Sequence, residues 1–342
     1  MRLFVALLLC LFAAAGAQAH PPYGLAADAR GNVYFSDLEA VWRLTPEGRL
    51  ELFRPSAEGF HVHEVAIAPD GAIEGDVNHY DPSSEVFSGG LWRRTADGRE
   101  QWLVRPTPAP PRGFGTYGDS RGNRYTSQWV GNDDRRTLLF RRSPAGRVDL
   151  LHGPPDESAR LRESLVSSIG GMARTRAWGM AVADGRALRL VAPSGAVTTL
   201  HEAAAGASFR GVSVAPDGRV IAADQGSKAV IAVAAEGAAE ILYRESGPWL
   251  PTAAVIAGGR LLVLEANADP REQADRVRVI AVEEGRWREV ARPARGPTPA
   301  AAPAGIPPPV REARGLGWSL AFAAAVAAAA VIALLRWRRL RR

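Results

Sequence analysis

The chain reads as an all-β fold, a six-bladed β-propeller of four-stranded antiparallel blades followed by one C-terminal transmembrane α-helix. Three observations predict this. A phrase of about 40 residues returns six times, the length of one propeller blade. Glycine turns punctuate each copy at matched places, and one long apolar run stands near the C-terminus.

The first unit runs from PYGLAADARGNVYFSD through VWRLTPEGRLELF, and the second opens HEVAIAPDGAIEGD and closes LWRRTADGREQWLV. The third opens RGFGTYGDSRGNRYTSQW and closes LLFRRSPAGRVDLLH, and the fourth is GGMARTRAWGMAVADGRALRLVAPSGAVTTLH. The fifth, GVSVAPDGRVIAADQGSKAVIAVAAEGAAEIL, is a degraded copy of the first, and the sixth joins LPTAAVIAGGRLLVLE to VRVIAVEEGRWREVA. In each, a short apolar run meets a D-G or G-N turn, where glycine supplies the positive φ of a tight hairpin. A second run with apolar alternation follows, such as Val33 and Phe35 or Val220 and Ala222, and then two more strands joined by a turn of the P-E-G type. Strands this short with turns this frequent indicate an all-β fold. Closing six such sheets into a ring disposes of most exposed edges.

The two ends set the placement of this domain. Residues 1–19 combine Arg2, an apolar run and the small-x-small Ala17-Gln18-Ala19, the pattern of a secretory signal peptide cut before His20. The chain's one cysteine, Cys10, lies inside that leader and follows Leu9, where a lipidated cysteine would follow a small residue. The exported propeller, residues 20–291, therefore has to hold together by packing, without disulfides or thiolate metal sites. Residues 292–314 form a Pro/Ala-rich linker, with seven prolines among the 19 residues 292–310, which favours an extended spacer. Residues 315–335 carry an uncharged run long enough to span the roughly 30 Å hydrocarbon layer. Trp318 and Trp337 flank it, and the arginines of 336–342 make a basic cytoplasmic tail. The expectation is a single-pass protein of the cell membrane with its propeller in the periplasm or extracellular space.

Composition, at 46% hydrophobic and 23% charged, is that of an ordinary globular protein. Arg2 and the five arginines of the tail account for the formal net charge of +6, leaving the region between close to neutral. A nucleic-acid binder keeps its positive charge on the folded face, so no nucleic-acid partner is expected.

The wording of the repeat, GLAADARGNVYFSD above all, resembles the NHL-repeat family of six-bladed propellers and its gluconolactonase-like relatives. The resemblance covers about residues 21–292, closely in units one and five and loosely in two and three. It implies the fold, and a ligand site at the central axis where loops enter the innermost strands. By that logic the site candidates are Tyr23, His61 with His63 and Glu64, Arg112 with Phe114, Ser168, Arg210, and Trp249 with Thr252. Gluconolactonase-like propellers carry a metal on Glu, Asn and Asp at inner-strand starts; here the matching starts read PYGLA, SIGGM and FRGVS, without that triad. Peptide-amidating lyases of similar fold hold zinc by histidines from separate blades, whereas here the second unit alone supplies them.

The sharpest local feature is FHVHEVAIAPDGAIEGDVNHYDP, in which His61 and His63 alternate and so share one face of a strand. Imidazole nitrogen with a carboxylate would suit zinc or another divalent metal. A second series, Asp37, Asp76, Gln128, Asp184, Asp224 and Glu265, ends each second strand and reads as structural acceptors for the following turn, with Asp76 and Glu265 as the exceptions. The segments 78–90, 130–136, 152–170 and 266–276 read as loops bearing function. Two functions fit. One is binding of a ligand or protein partner at the axial face; the other is a metal-assisted lyase or hydrolase using His61, His63 and Glu64. Arg112 and Arg210 suit a small anionic ligand on either reading.

Overall fold

The computed structural model describes residues 21–56, 59–81, 86–95, 97–108, 115–130, 136–153, 171–175, 179–267 and 277–293. Every described residue lies in one compact unit of the chain, Met1–Ala304. The leader, all but the first two residues of the linker, the span 315–335 and the basic tail lie outside the described residues. Among the described residues no helix is long and apolar enough to cross a membrane.

Six antiparallel sheets follow one another along the chain. Blade one holds β1 (Leu25–Ala27), β2 (Val33–Ser36), β3 (Ala40–Leu44) and β4 (Leu50–Pro55). Blade two holds β5 (Phe60–His61), β6 (Val65–Ile67), β7 (Ile73–Asp81), β8 (Val86–Arg94) and β9 (Glu100–Thr107). Blade three is β10 (Tyr117–Gly118), β11 (Arg124–Val130), β12 (Arg136–Arg142) and β13 (Val148–His152). Blade four is β14 (Met172–Thr175), β15 (Gly179–Asp184), β16 (Ala187–Val191) and β17 (Val197–Glu202). Blade five is β18 (Phe209–Val214), β19 (Val220–Asp224), β20 (Ala229–Val233) and β21 (Ala239–Arg244). Blade six is β22 (Trp249–Ala257), β23 (Arg260–Asn267), β24 (Val277–Glu283) and β25 (Arg286–Ala291). The chain is an all-β six-bladed propeller.

The turn chemistry is local. In blade one Asp28 Oδ1 accepts the amides of Arg30 and Asn32, both at 2.9 Å, and Oδ2 accepts from Asn32 Nδ2 at 2.8 Å and Tyr34 OH at 3.2 Å. DSRGNRY of blade three repeats the device, with Asp119 bonded to Arg121, Asn123 and Tyr125. Gly31 and Gly122 close these turns at φ of 82° and 77°, a left-handed conformation that side chains resist. Each blade also carries a β-bulge where its third strand meets its fourth, as at Val41/Trp42 and Val230/Ile231. The bulge bends and twists the outer strand away from its neighbour.

Burial runs from inside out. All of β19 and β20 is buried, whereas β21 is mostly exposed. Apolar seams join successive blades, and the seam that closes the ring packs Leu25, Val33 and Phe35 against Ala253, Val255, Leu264 and Val279. Blade one and blade six are thus sealed by side chains, and neither lends the other a strand. Between blades two and three the join is ionic: Glu74, 2% exposed, takes Arg93 Nη1 at 2.9 Å and Arg124 Nη2 at 3.0 Å.

Two features differ from the sequence reading. Blade two has five strands, because its inner strand is broken at residues 62–64, so that β5 and β6 both pair with β7. His61 and His63 therefore do not share one unbroken strand. The segment 78–90, read as a loop, is largely paired: Asn78 faces Gly89 and Asp81 faces Val86, lengthening the β7–β8 hairpin. The pairing of Val130 with Arg136 extends β11–β12 likewise.

Candidate functional site

At three seams of the ring the axial ends of neighbouring inner strands are built by close backbone approach. A Cβ on Gly24 would lie 2.7 Å from Val65 N, one on Gly171 would lie 2.6 Å from Val212 N, and one on Gly211 would lie 2.4 Å from Thr252 O. Glycine lets neighbouring inner strands crowd together at this rim. The strands also bulge here. In blade five the register shifts between Arg210 and Val212, in blade six between Pro251 and Ala253, and in blade two the strand breaks outright. Such irregularities re-aim side chains, and they recur next to binding sites.

Glu64, Asp76, Tyr117 and Arg210 all lie within electrostatic reach of Tyr23 at this rim. Glu64 and Asp76 are fully buried, and Tyr23 and Tyr117 are each 8% exposed. Burial raises the Tyr23 hydroxyl well above its ordinary range, Glu64, Asp76 and Tyr117 push it further, and Arg210 opposes them. Tyr117 is raised by burial and by Glu64 in the same way. Residues from blades one, two, three and five thus share one electrostatic environment.

Asp76 organises blade two's share. Its Oδ1 accepts the amides of His63 and Glu64, both at 2.8 Å, and its Oδ2 takes Asn78 Nδ2. His63 Nδ1 lies 3.6 Å from Asp76 Oδ2 and 3.3 Å from Asn78 Nδ2. His61 is exposed, its ring centroid 6.2 Å from that of His63. His79 turns away and stacks on Phe60 at 4.9 Å. Among the described residues no group of three or more His, Cys, Asp or Glu is placed to hold a metal ion. His61 and His63 gain no third ligand there, so the zinc expectation does not fit the donor set that is described.

The remaining candidates separate. Trp249 begins the inner strand β22, but its ring packs against blade six's outer strands: the Arg278 guanidinium sits 4.3 Å from its ring centroid and 4.6 Å from that of Trp287. Thr252 holds the axial place in that blade, fully buried, and donates to Leu264 O at 3.3 Å. Arg112, Phe114 and Ser168 lie outside the described residues.

The second-strand series divides by partner. Asp37 accepts the amides of Glu39 at 3.0 Å and Ala40 at 2.7 Å in the turn that follows. Asp224 bonds Ser208 N, Gly226 N and Ser227 Oγ. Asp184 instead takes Arg189 Nε at 2.6 Å. The side chain of Gln128 lies outside what is described. Glu265, fully buried, accepts Arg278 Nε at 2.7 Å and Tyr243 OH at 2.9 Å, while Arg278 also reaches Glu245 at 3.3 Å.

Beneath the rim a central channel of about 440 Å³ is lined by residues of all six inner strands, Tyr23 and Tyr117 among them. Chemically the rim offers two buried tyrosyl hydroxyls, a buried carboxylate, a partly buried imidazole and the Arg210 guanidinium. Tyr117 and Asn78 were not foreseen. Tyr117 could have been found by aligning GTYGD with GLAAD, which puts it level with Ala26 on the inner strand.

No protein-family model matches the chain, and no curated protein matches it. Among solved structures it is similar to virginiamycin B lyase from Staphylococcus aureus, at 15% identity over 80% of this chain and 85% of that one, with a TM-score of 0.48. It is similar to a gluconolactonase from Xanthomonas campestris at 13% identity over 72% and 83% of the two chains, TM-score 0.47. Against PQQ-bound aldose sugar dehydrogenase from Streptomyces coelicolor the values are 16%, 79% and 93%, and 0.47. A lyase, a lactonase and a dehydrogenase on one architecture carry no activity to this chain, and the likeness stops at the propeller itself.

Proposed function

We propose that this protein is an extracytoplasmic propeller, tethered to the membrane through residues 315–335, that binds a small ligand or a segment of a partner protein at its axial face. One observation carries the reading: a fully buried Glu64 stands at the rim with Tyr23, Tyr117 and Arg210 from three other blades. Burying ionisable groups is costly, and a plain structural plug would be small and apolar. Titratable groups gathered in a cleft are the usual mark of a working site. Arg210 supplies the anchor for an anionic group, and His63 and the tyrosines supply hydrogen bonds around it.

The test is a binding screen on the full chain in detergent, with small carboxylates, sugar phosphates and neutral sugars as probes. Thermal shift finds binders and calorimetry measures them. The reading expects at least one binder whose affinity drops about tenfold or more, roughly 1.4 kcal/mol, in Arg210→Ala and in His63→Ala. Binding untouched by both substitutions, or no binder among the probes, counts against it. The tether is tested by membrane fractionation of the full chain and of a chain ending at residue 314, which should leave the membrane fraction.

A further inference from the structure

The channel has a second mouth, on the face where the first strands turn into the second. There it opens into a basin of about 900 Å³ whose lining includes Arg30 of blade one and Arg174 of blade four. Arg30 and Arg174 thus line one basin from two separate blades of the ring. Arg174 lines both the basin and the channel, which places it at the neck between them. Both arginines are exposed, and neither makes an ion pair with a described carboxylate.

The chemistry on offer is that of donors. Asp28 is the acidic side chain of the basin lining, and its two oxygens are taken up by Arg30 N, Asn32 N, Asn32 Nδ2 and Tyr34 OH within its own turn. Ser213, on the channel wall, is 9% exposed, and its buried Oγ has no hydrogen-bond partner. A buried hydroxyl left unbonded costs on the order of 1–3 kcal/mol, so its retention asks for a partner that the protein does not supply. Ala27, Val214 and Val255 keep the neck walls small. Such a site calls for a compact ligand that brings only acceptors and negative charge.

We infer that the neck of the channel at Arg174, with Arg30 on its basin side and Ser213 on its channel side, is a binding site for a small multivalent oxyanion, a phosphate or a short dicarboxylate. The site is independent of the axial rim, lies on the opposite face and shares no anchoring residue with it. Arginine forks recognise either oxyanion by paired N–H···O bonds.

The experiment follows thermal unfolding of the full chain in detergent as sodium phosphate or sodium malonate is added, against sodium chloride at matched ionic strength. A ligand that binds the folded state raises the midpoint in a saturable way. The expected result is a saturable rise with phosphate, malonate or both, the stronger arm naming the source. The rise should vanish in the Arg30→Ala/Arg174→Ala double variant and shrink in Ser213→Ala. Arg174→Gln, which keeps length and hydrogen bonding but loses the charge, should weaken the response while leaving the midpoint in chloride unchanged. Arg210→Ala should respond like the unaltered protein, which separates this site from the rim. A rise that does not saturate, or that persists in the double variant, would be the general stabilisation such salts give any protein and would overturn the proposal. A response lost in Arg210→Ala and kept in Arg174→Gln would overturn it too, by moving the anion to the other face.

Discussion

Asp76 Oδ1 accepts the main-chain N–H of Glu64 at 2.8 Å, and both residues are fully buried. With the matching bond from His63 N at 2.8 Å, it fixes the break in blade two that carries His63 and Glu64 to the rim. Hydrogen bonds to a charged acceptor are worth about 1.5–3 kcal/mol each. Asp76→Ala should therefore lower unfolding stability by roughly 3 kcal/mol, read from the denaturant midpoint. Asp76→Asn, which keeps one oxygen for the amides but faces Asn78 with a donor, should fall between. An alanine variant within about 0.5 kcal/mol of the parent, the range of an ordinary surface change, would show that the break holds itself.

Arg278 bridges two buried carboxylates, Glu265 at 2.7 Å and Glu245 at 3.3 Å, against the face of Trp249. Burial raises the Glu265 carboxyl in spite of Arg278, whereas Glu245, also pushed up by burial, is brought below its ordinary range by Tyr243, the Gly247 amide and Arg278. Removing the guanidinium strands both acids, so Arg278→Ala should cost about 3–5 kcal/mol. Adding Glu265→Gln to that variant should recover part of the loss. Equal stability of the single and double variants would mean that the network is not coupled.

Tyr125 gives the pH dependence. Burial and its hydrogen bond to Asp119 push its hydroxyl up to about 12. A tyrosine raised above its unfolded value near 10 holds its proton more tightly when folded. Its contribution is complete below about pH 10 and is lost as pH rises through about 12. Tyr125 should account for a loss on the order of 2 kcal/mol across that window, so Tyr125→Phe should lose about that much less than the parent. Parallel pH–stability curves for the two proteins would contradict this.

Gly211 is a close point of the rim, since an added Cβ would meet Ala253 Cβ and Thr252 O, each at 2.4 Å. Gly211→Ala should cost about 1–3 kcal/mol as an overpacked contact. It should also displace Arg210 and weaken any axial ligand more than Gly218→Ala does, because Gly218 lies in a turn with nothing within 4 Å of an added Cβ. Equal effects on ligand affinity would detach Arg210 from the bulge.

What was legible in the sequence is what local chemistry decides. DARGN and DSRGN announce turns because their aspartates bond inside the turn itself, and six such hairpins imply a ring. The candidates Tyr23, Glu64 and Arg210 followed from position on the inner strands. What stayed hidden depends on partners distant in sequence. Trp249 begins an inner strand yet packs on Arg278, 29 residues later, because a guanidinium with two buried carboxylates draws the indole to it. The acids ending the second strands look alike, but Asp37 serves its own turn, Asp76 an earlier strand and Glu265 an arginine on the next. The broken strand of blade two was invisible as well, since HVHEV alternates as an unbroken strand would.

Blades one, two and five place Tyr23, Glu64 and Arg210 together only if the ring closes as described. The direct measurement is an NMR titration of the Tyr23 ring in ¹³C-tyrosine-labelled protein, repeated in Glu64→Gln and Arg210→Ala. The account predicts that Tyr23 keeps its proton well above the ordinary tyrosine range, that Glu64→Gln lowers its pKa and that Arg210→Ala raises it. A Tyr23 that titrates at the ordinary value, or that ignores both substitutions, would contradict it.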